Sequence, residues 1–156
     1  MSFSIDGKTV IVTGAANGIG AALARHFAEN GANVMCADID EKALKKDLGE
    51  SADDSNVRYF AGDLREKLTL ANLLSATVDA FDRVDVLVNA SRQMATTDPL
   101  DMDDETVEKL LQQNLMTSLR LSQMVAKRMI KQDQEQDHEF AGTIINLSSI
   151  AARLTQ

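Results

Sequence analysis

Eight residues, Thr13-Gly14-Ala15-Ala16-Asn17-Gly18-Ile19-Gly20, have the composition and position to bind an anion. They follow the β-branched run Lys8-Thr9-Val10-Ile11-Val12-Thr13 and precede an amphipathic stretch, so they form the turn between a buried strand and a helix. Such a turn brings free backbone N–H groups and the positive end of the helix to one place, and glycine lets a phosphate approach the backbone. The spacing is Gly-x-x-x-Gly-x-Gly, which departs from the usual Gly-x-Gly-x-x-Gly dinucleotide pattern. A P-loop is excluded, because no Lys-Ser or Lys-Thr pair follows Gly20. Asp38 lies 18 residues after Gly20 at the end of the next apolar run, close to the separation expected of an acid that bonds the adenosine ribose. A carboxylate there accepts from the ribose hydroxyls and repels a 2′-phosphate. Its neighbours Ala15, Ala16, Asn17 and Ile39 carry no charge to neutralise one, so NAD is favoured over NADP. The plainer alternative, that Asp38 caps the following helix, competes with Asp40 for that role.

Two further polar residues stand in informative surroundings. Asn114 falls among Leu110, Leu111, Leu115 and Leu119 on a strongly apolar helix. A buried amide without partners costs about 1–3 kcal/mol, so its expected surroundings include a bonding partner. Ser149 lies just past a strand-like run, and ligands collect at the C-terminal ends of strands in open α/β sheets. No Gly-x-Ser-x-Gly elbow surrounds Ser149, and the only histidines, His26 and His138, read as surface residues. No His, Cys or carboxylate spacing suggests a metal site, and Asp101 to Glu105 lacks the glycine and final glutamate of a calcium loop.

The elements that must carry these residues alternate. Strands are expected at Lys8–Thr13, Asn33–Ala37, Val57–Ala61, Val84–Asn89 and Thr143–Leu147. Helices are expected at Gly18–Asn30, with Gly31 ending it, Glu41–Leu48, Glu66–Phe81 and Thr106–Ile130. Strands alternating with helices of this length imply right-handed βαβ units and a parallel sheet covered on both faces, a doubly wound α/β (Rossmann) fold in one domain. The polar run Lys131 to Glu139 reads as a solvated helix end or surface loop. Of 156 residues 44% are hydrophobic and 26% charged, which excludes disordered and fibrous classes. The balance of 16 Lys and Arg against 24 Asp and Glu, a net charge of −8, argues against binding duplex DNA. The first residues lack a signal-peptide pattern, and no apolar stretch is long enough to span a membrane. Cys36 is the sole cysteine and can form no internal disulfide, which suits a cytoplasmic protein. Only one proline, Pro99, interrupts the chain.

In these motifs the sequence resembles the short-chain dehydrogenase/reductase family in its common single-domain form, along its whole length. Thr13 to Gly20 is similar to the family's Thr-Gly-x-x-x-Gly-x-Gly cofactor loop, and Asp38 to its NAD-selecting acid. Asp63-Leu64 is similar to the pair against the adenine ring, Asn114 to the active-site asparagine, and Gly142 to Ser149 to the fifth strand, whose second serine is the active-site one. The resemblance implies NAD as cofactor, a small-molecule alcohol or carbonyl substrate, a proton relay organised by Asn114, a substrate oxygen bonded by Ser149, strand order 3-2-1-4-5, and a homodimer or homotetramer. One motif departs. Where the family carries Asn-Asn-Ala-Gly after strand four, this chain has Asn89-Ala90-Ser91-Arg92, which puts an arginine side chain where backbone ordinarily passes close to the cofactor. Arg92 faces either solvent or an anionic group of cofactor or substrate. The family's tyrosine and lysine are also missing, and the only tyrosine, Tyr59, belongs to the third strand. The resemblance implies that residues 1–156 are the N-terminal part of a longer enzyme, cut after strand five before the last βα units, with the remainder as a partner. The alternative is a catalytically inactive dinucleotide-binding or scaffolding module.

Overall fold

A computed structural model of the chain describes residues 4–48, 56–98, 100–136 and 141–150. Five parallel strands form one sheet in the order β3-β2-β1-β4-β5, as expected. They are β1 (Thr9–Thr13), β2 (Asn33–Asp38), β3 (Val57–Ala61), β4 (Val86–Asn89) and β5 (Thr143–Asn146). Every residue of β1 is buried, because β-branched side chains alternate into two covered faces from a strand at the centre of the sheet.

The helices are α1 (Gly18–Glu29), α2 (Glu41–Leu48), α3 (Lys67–Phe81), α4 (Asp104–Leu111) and α5 (Thr117–Gln136), with a π-helical segment, Gln112–Met116, joining the last two. Helix α1 ends where Asn30 and left-handed Gly31 (φ 84°) turn the chain into β2. Helix α4 is capped by Asp103, whose Oδ1 accepts from Thr106 N at 2.8 Å. Val10, Val12, Val34, Cys36, Val86 and Val88 pack with Leu23, Ala24, Phe27 and Leu44 of α1 and α2. Ile11, Met35, Ala37 and Leu87 pack on the opposite face with Leu70 and Leu73 of α3 and Leu121, Val125 and Met129 of α5.

Two expectations need correction. The helix expected at Thr106–Ile130 is split by the π segment and continues to Gln136. The polar run after Ile130 begins as a helix end, one of the two forms expected of it, with Lys131 and Gln134 exposed, but that end is not wholly solvated. Gln132 is 5% exposed, and its amide bonds both the N–H (3.0 Å) and the C=O (2.8 Å) of Val84. Pro99 and His138 lie outside the described residues.

Candidate functional site

The loops leaving the C-terminal ends of all five strands enclose one open cleft of about 1440 Å³. That exceeds the roughly 300–1,000 Å³ of an ordinary small-molecule pocket and gives room for an extended ligand. Its first wall is the loop from Gly14 to Gly20. Gly14 (φ 68°) lies so close to the segment after β4 that a Cβ there would stand 2.8 Å from Ser91 Cα. A Cβ on Gly20 would stand 2.0 Å from the Gly14 carbonyl oxygen. Glycine at these positions is thus required by packing, the first of α1's entry loop on β4 and the second of α1 on its own loop. Thr13 fixes the same junction, since its Oγ1 accepts from the N–H groups of both Ala90 and Ser91 at 3.1 Å. Asn17 precedes α1 in an extended conformation and makes no side-chain cap, so no side chain competes for the anion-binding end of the helix.

Asp38 reaches across to this loop. Its Oδ2 accepts from Ala16 N at 3.0 Å and its Oδ1 from Asp40 N at 3.1 Å. Asp40 in turn accepts from Ala43 N at 3.0 Å and so serves as the cap of α2. The choice left open by the sequence is resolved: Asp40 holds the helix, and Asp38 holds the loop at the edge of the cleft. Beyond β3, Asp63 is paired with Arg65, Oδ2 to Nη2 at 2.5 Å, and the guanidinium bonding it holds the Asp63 carboxyl below its ordinary value. Leu64 is buried behind it and lines the cleft floor.

On the other side of the cleft Asn89 is 5% exposed. Its Nδ2 donates to Ser122 Oγ at 3.0 Å and to Asn146 Oδ1 at 2.8 Å, whereas its own Oδ1 has no hydrogen-bond partner among the described residues. Asn114 sits in the π segment. The N–H and the hydroxyl of Thr117 both bond to the Gln112 carbonyl, five residues back, which widens the turn at Asn114. The Asn114 amide makes a reciprocal pair with one backbone unit, accepting from Gln93 N at 2.8 Å and donating to Gln93 O at 2.9 Å. Asn114 does have the partner the sequence demanded, yet it is exposed, with Leu111, Leu115 and Leu119 exposed around it. Ser149 follows β5 and is exposed on the cleft wall.

The cleft is lined by Gly14, Asn17, Gly18, Ile19, Gly20, Asp38, Ile39, Asp63, Leu64, Asn89, Ala90, Asn114 and Ser149. Ala16, the one other residue expected there, is buried behind the loop and contributes its N–H to Asp38 instead. Thr13, Gln93, Ser122 and Asn146 also hold the site together. Of these, Thr13, directly before the first glycine, and Asn146, within the stretch from Gly142 to Ser149, are signalled by their place in a motif; Gln93 and Ser122 are ordinary polar residues until the fold brings them to Asn114 and Asn89. Among the described residues no group of three or more His, Cys, Asp or Glu could hold a metal ion, and no helix is long and apolar enough to cross a membrane.

A parallel sheet in this order, with a glycine-built turn and an uncapped helix start opening on its C-terminal cleft, defines a Rossmann-type α/β domain. Residues 8–156 match the family described as short chain dehydrogenase, and the chain belongs to that family. It is 33% identical over 149 residues to an uncharacterized oxidoreductase of Thermotoga maritima, covering 95% of this chain and 56% of that protein. It is 34% identical to a D-threitol dehydrogenase of Mycolicibacterium smegmatis (96% of this chain, 55% of the relative). To an NAD-dependent glycerol dehydrogenase of Listeria innocua it is 29% identical (96% and 56%). The chain spans about half the length of the curated relatives it matches.

Proposed function

We propose that residues 1–156 form a single dinucleotide-binding domain of an NAD-dependent oxidoreductase that interconverts an alcohol and a carbonyl on a small molecule. One observation carries this reading. A single cleft collects the uncapped start of α1, the carboxylate of Asp38, the amide of Asn114 and the hydroxyl of Ser149. The residues fit the cofactor. The loop from Gly14 to Gly20 suits a diphosphate, Asp38 and Ile39 suit an adenosine ribose without a 2′-phosphate, Asp63 and Leu64 suit the adenine, and Asn89 and Ala90 would hold the nicotinamide half. When bound, the nicotinamide gives or takes a hydride. Ser149 bonds and polarises the substrate oxygen, and Asn114, on its widened turn, organises the proton relay. Tyr59, the only tyrosine, stands in β3, at the opposite edge of the sheet from β5, so no proton donor is assigned among residues 1–156. A cytoplasmic homodimer or homotetramer, completed by the remainder of the enzyme, belongs to the same proposal. It includes no nucleic-acid or membrane partner.

Fluorescence titration with NADH and NADPH tests the cofactor assignment. NADH is expected to bind more tightly by tenfold or more, and Asp38→Asn to narrow the gap, since it removes the charge that repels a 2′-phosphate. Equal or tighter binding of NADPH by the unaltered protein would refute the role given to Asp38. A second reading, an inactive dinucleotide-binding module, is favoured by the replacement of Asn-Asn-Ala-Gly with Asn89-Ala90-Ser91-Arg92. It gains if NADH binds but is not oxidised against a broad carbonyl panel.

A further inference from the structure

Arg92 occupies a built position. On one side, the N–H groups of Ala90 and Ser91 are held by Thr13 Oγ1 of β1; on the other, both backbone groups of Gln93 are held by the Asn114 amide. The backbone that carries Arg92 is therefore pinned between the sheet and the π segment, and its exposed side chain lines the cleft. Five charged residues line that cleft: Asp38, Asp40, Asp63, Arg65 and Arg92. Arg65 is engaged by Asp63. Among the described residues Arg92 has no hydrogen bond or ion pair with any other group. The topology separates the charges as well. The three carboxylates stand at the end of β2 or just after β2 and β3, whereas Arg92 follows β4, next to β5 and the serines after it. In a protein of net charge −8, this leaves one guanidinium, with a fork of five N–H donors, on the half of the cleft that holds Asn114 and Ser149.

We propose that Arg92 binds an oxyanion of the molecule in the cleft. Two sources share this chemistry: a carboxylate carried by the carbonyl substrate, and the diphosphate of the dinucleotide. The naming of these sources rests on the function proposed above; the anion site itself does not.

Calorimetric titration of the intact protein and of its Arg92→Gln and Arg92→Lys variants separates the possibilities, with malonate as the carboxylate probe, ADP-ribose as the diphosphate probe and adenosine as the neutral control. Arg92→Gln is expected to weaken malonate or ADP-ribose by tenfold or more, Arg92→Lys to retain most of the affinity, and adenosine to be unaffected. Loss confined to malonate assigns the site to substrate, and loss confined to ADP-ribose assigns it to the cofactor. Unchanged affinity for both anions, no binding of either to the unaltered protein, or a parallel loss of adenosine overturns the proposal. Arg92-dependent malonate binding, in a protein that takes neither adenosine nor ADP-ribose, would remove the dinucleotide reading and leave the anion site standing.

Discussion

Cys36 lies in the middle of β2, in register with Val12 on one side and Tyr59 on the other, and is 1% exposed. Burial away from any cation pushes its thiol up to about 12, because the thiolate would lose its hydration without gaining a partner. The thiolate is the reactive form, so the folded protein should leave dithiobis(nitrobenzoate) unreacted at pH 8 and react with one equivalent only when unfolded. The same shift fixes a sign. Between the ordinary value of 9.0 and about 12 the folded state keeps a proton that the unfolded state has lost, so stability falls as pH rises above 9. Denaturant midpoints measured from pH 8 to pH 11 should decline more steeply for the native sequence than for Cys36→Ala. Equal slopes, or rapid labelling of the folded protein, would show that β2 opens more readily than its burial implies. At this same scale Gly14 was readable from its place between a buried strand and a helix, and Asp38 from its distance after Gly20, although spacing left the cap alternative for Asp38 open. Asn114 was readable only in part: its need for partners follows from chemistry, but its exposure depends on which elements pack over the π segment.

Helix α5 shows what lies between residue and fold. Its buried stripe runs Thr117, Leu121, Val125, Met129 and then Gln132, one face at helical spacing that changes from hydrophobic to amide at the last turn. The change is functional for packing, because Gln132 meets the start of β4 and satisfies the N–H and C=O of Val84, which the ladder with β1 leaves to it. Arg128 supports it, donating to Gln132 Oε1 at 2.9 Å. Gln132→Leu keeps the volume but orphans two buried backbone groups, and should cost about 1–3 kcal/mol in urea unfolding. A loss below about 0.5 kcal/mol, the range of surface substitutions, would mean that water replaces the amide. Strands β1, β4 and β5 were legible because they are rich in β-branched residues and bounded by turn residues, whereas β2 and β3, with one valine each, were legible from their place in the alternation with helices. The fate of Gln132 was not. Hydropathy sends a polar run to solvent, and only the phase of α5 against β4 says otherwise. That phase depends on the extra residue in the π turn, and nothing in the local sequence announces it.

At the scale of the whole fold, the described residues cover the sheet unevenly. Helices α3 and α5 pack on one face, and α1 and α2 on the other, but Ile145 of β5, paired with Val88, is 38% exposed. Leu147 and Ile150 beyond it are exposed, as is the row Leu111, Leu115 and Leu119. Among the described residues β5 bonds only to β4, so its outer edge offers unpaired backbone beside apolar side chains. Proteins usually blunt such an edge with charge or a covering element. Opposing association is the net charge of −8, whose repulsion is long-ranged only at low ionic strength, with a screening length of about 30 Å at 0.01 M and about 8 Å at 0.15 M. The apolar attraction is barely affected over that range. The mass of the 156-residue chain by light scattering should therefore rise with concentration, and more steeply at 0.15 M salt than at 0.01 M. Ile145→Lys places a charge on the edge at a partly exposed position, and should lower the mass at both salt concentrations while changing stability by about 0.5 kcal/mol or less. A chain that stays monomeric across the series, or an association that Ile145→Lys leaves unchanged, would place the adhesive surface elsewhere and return attention to the leucine row.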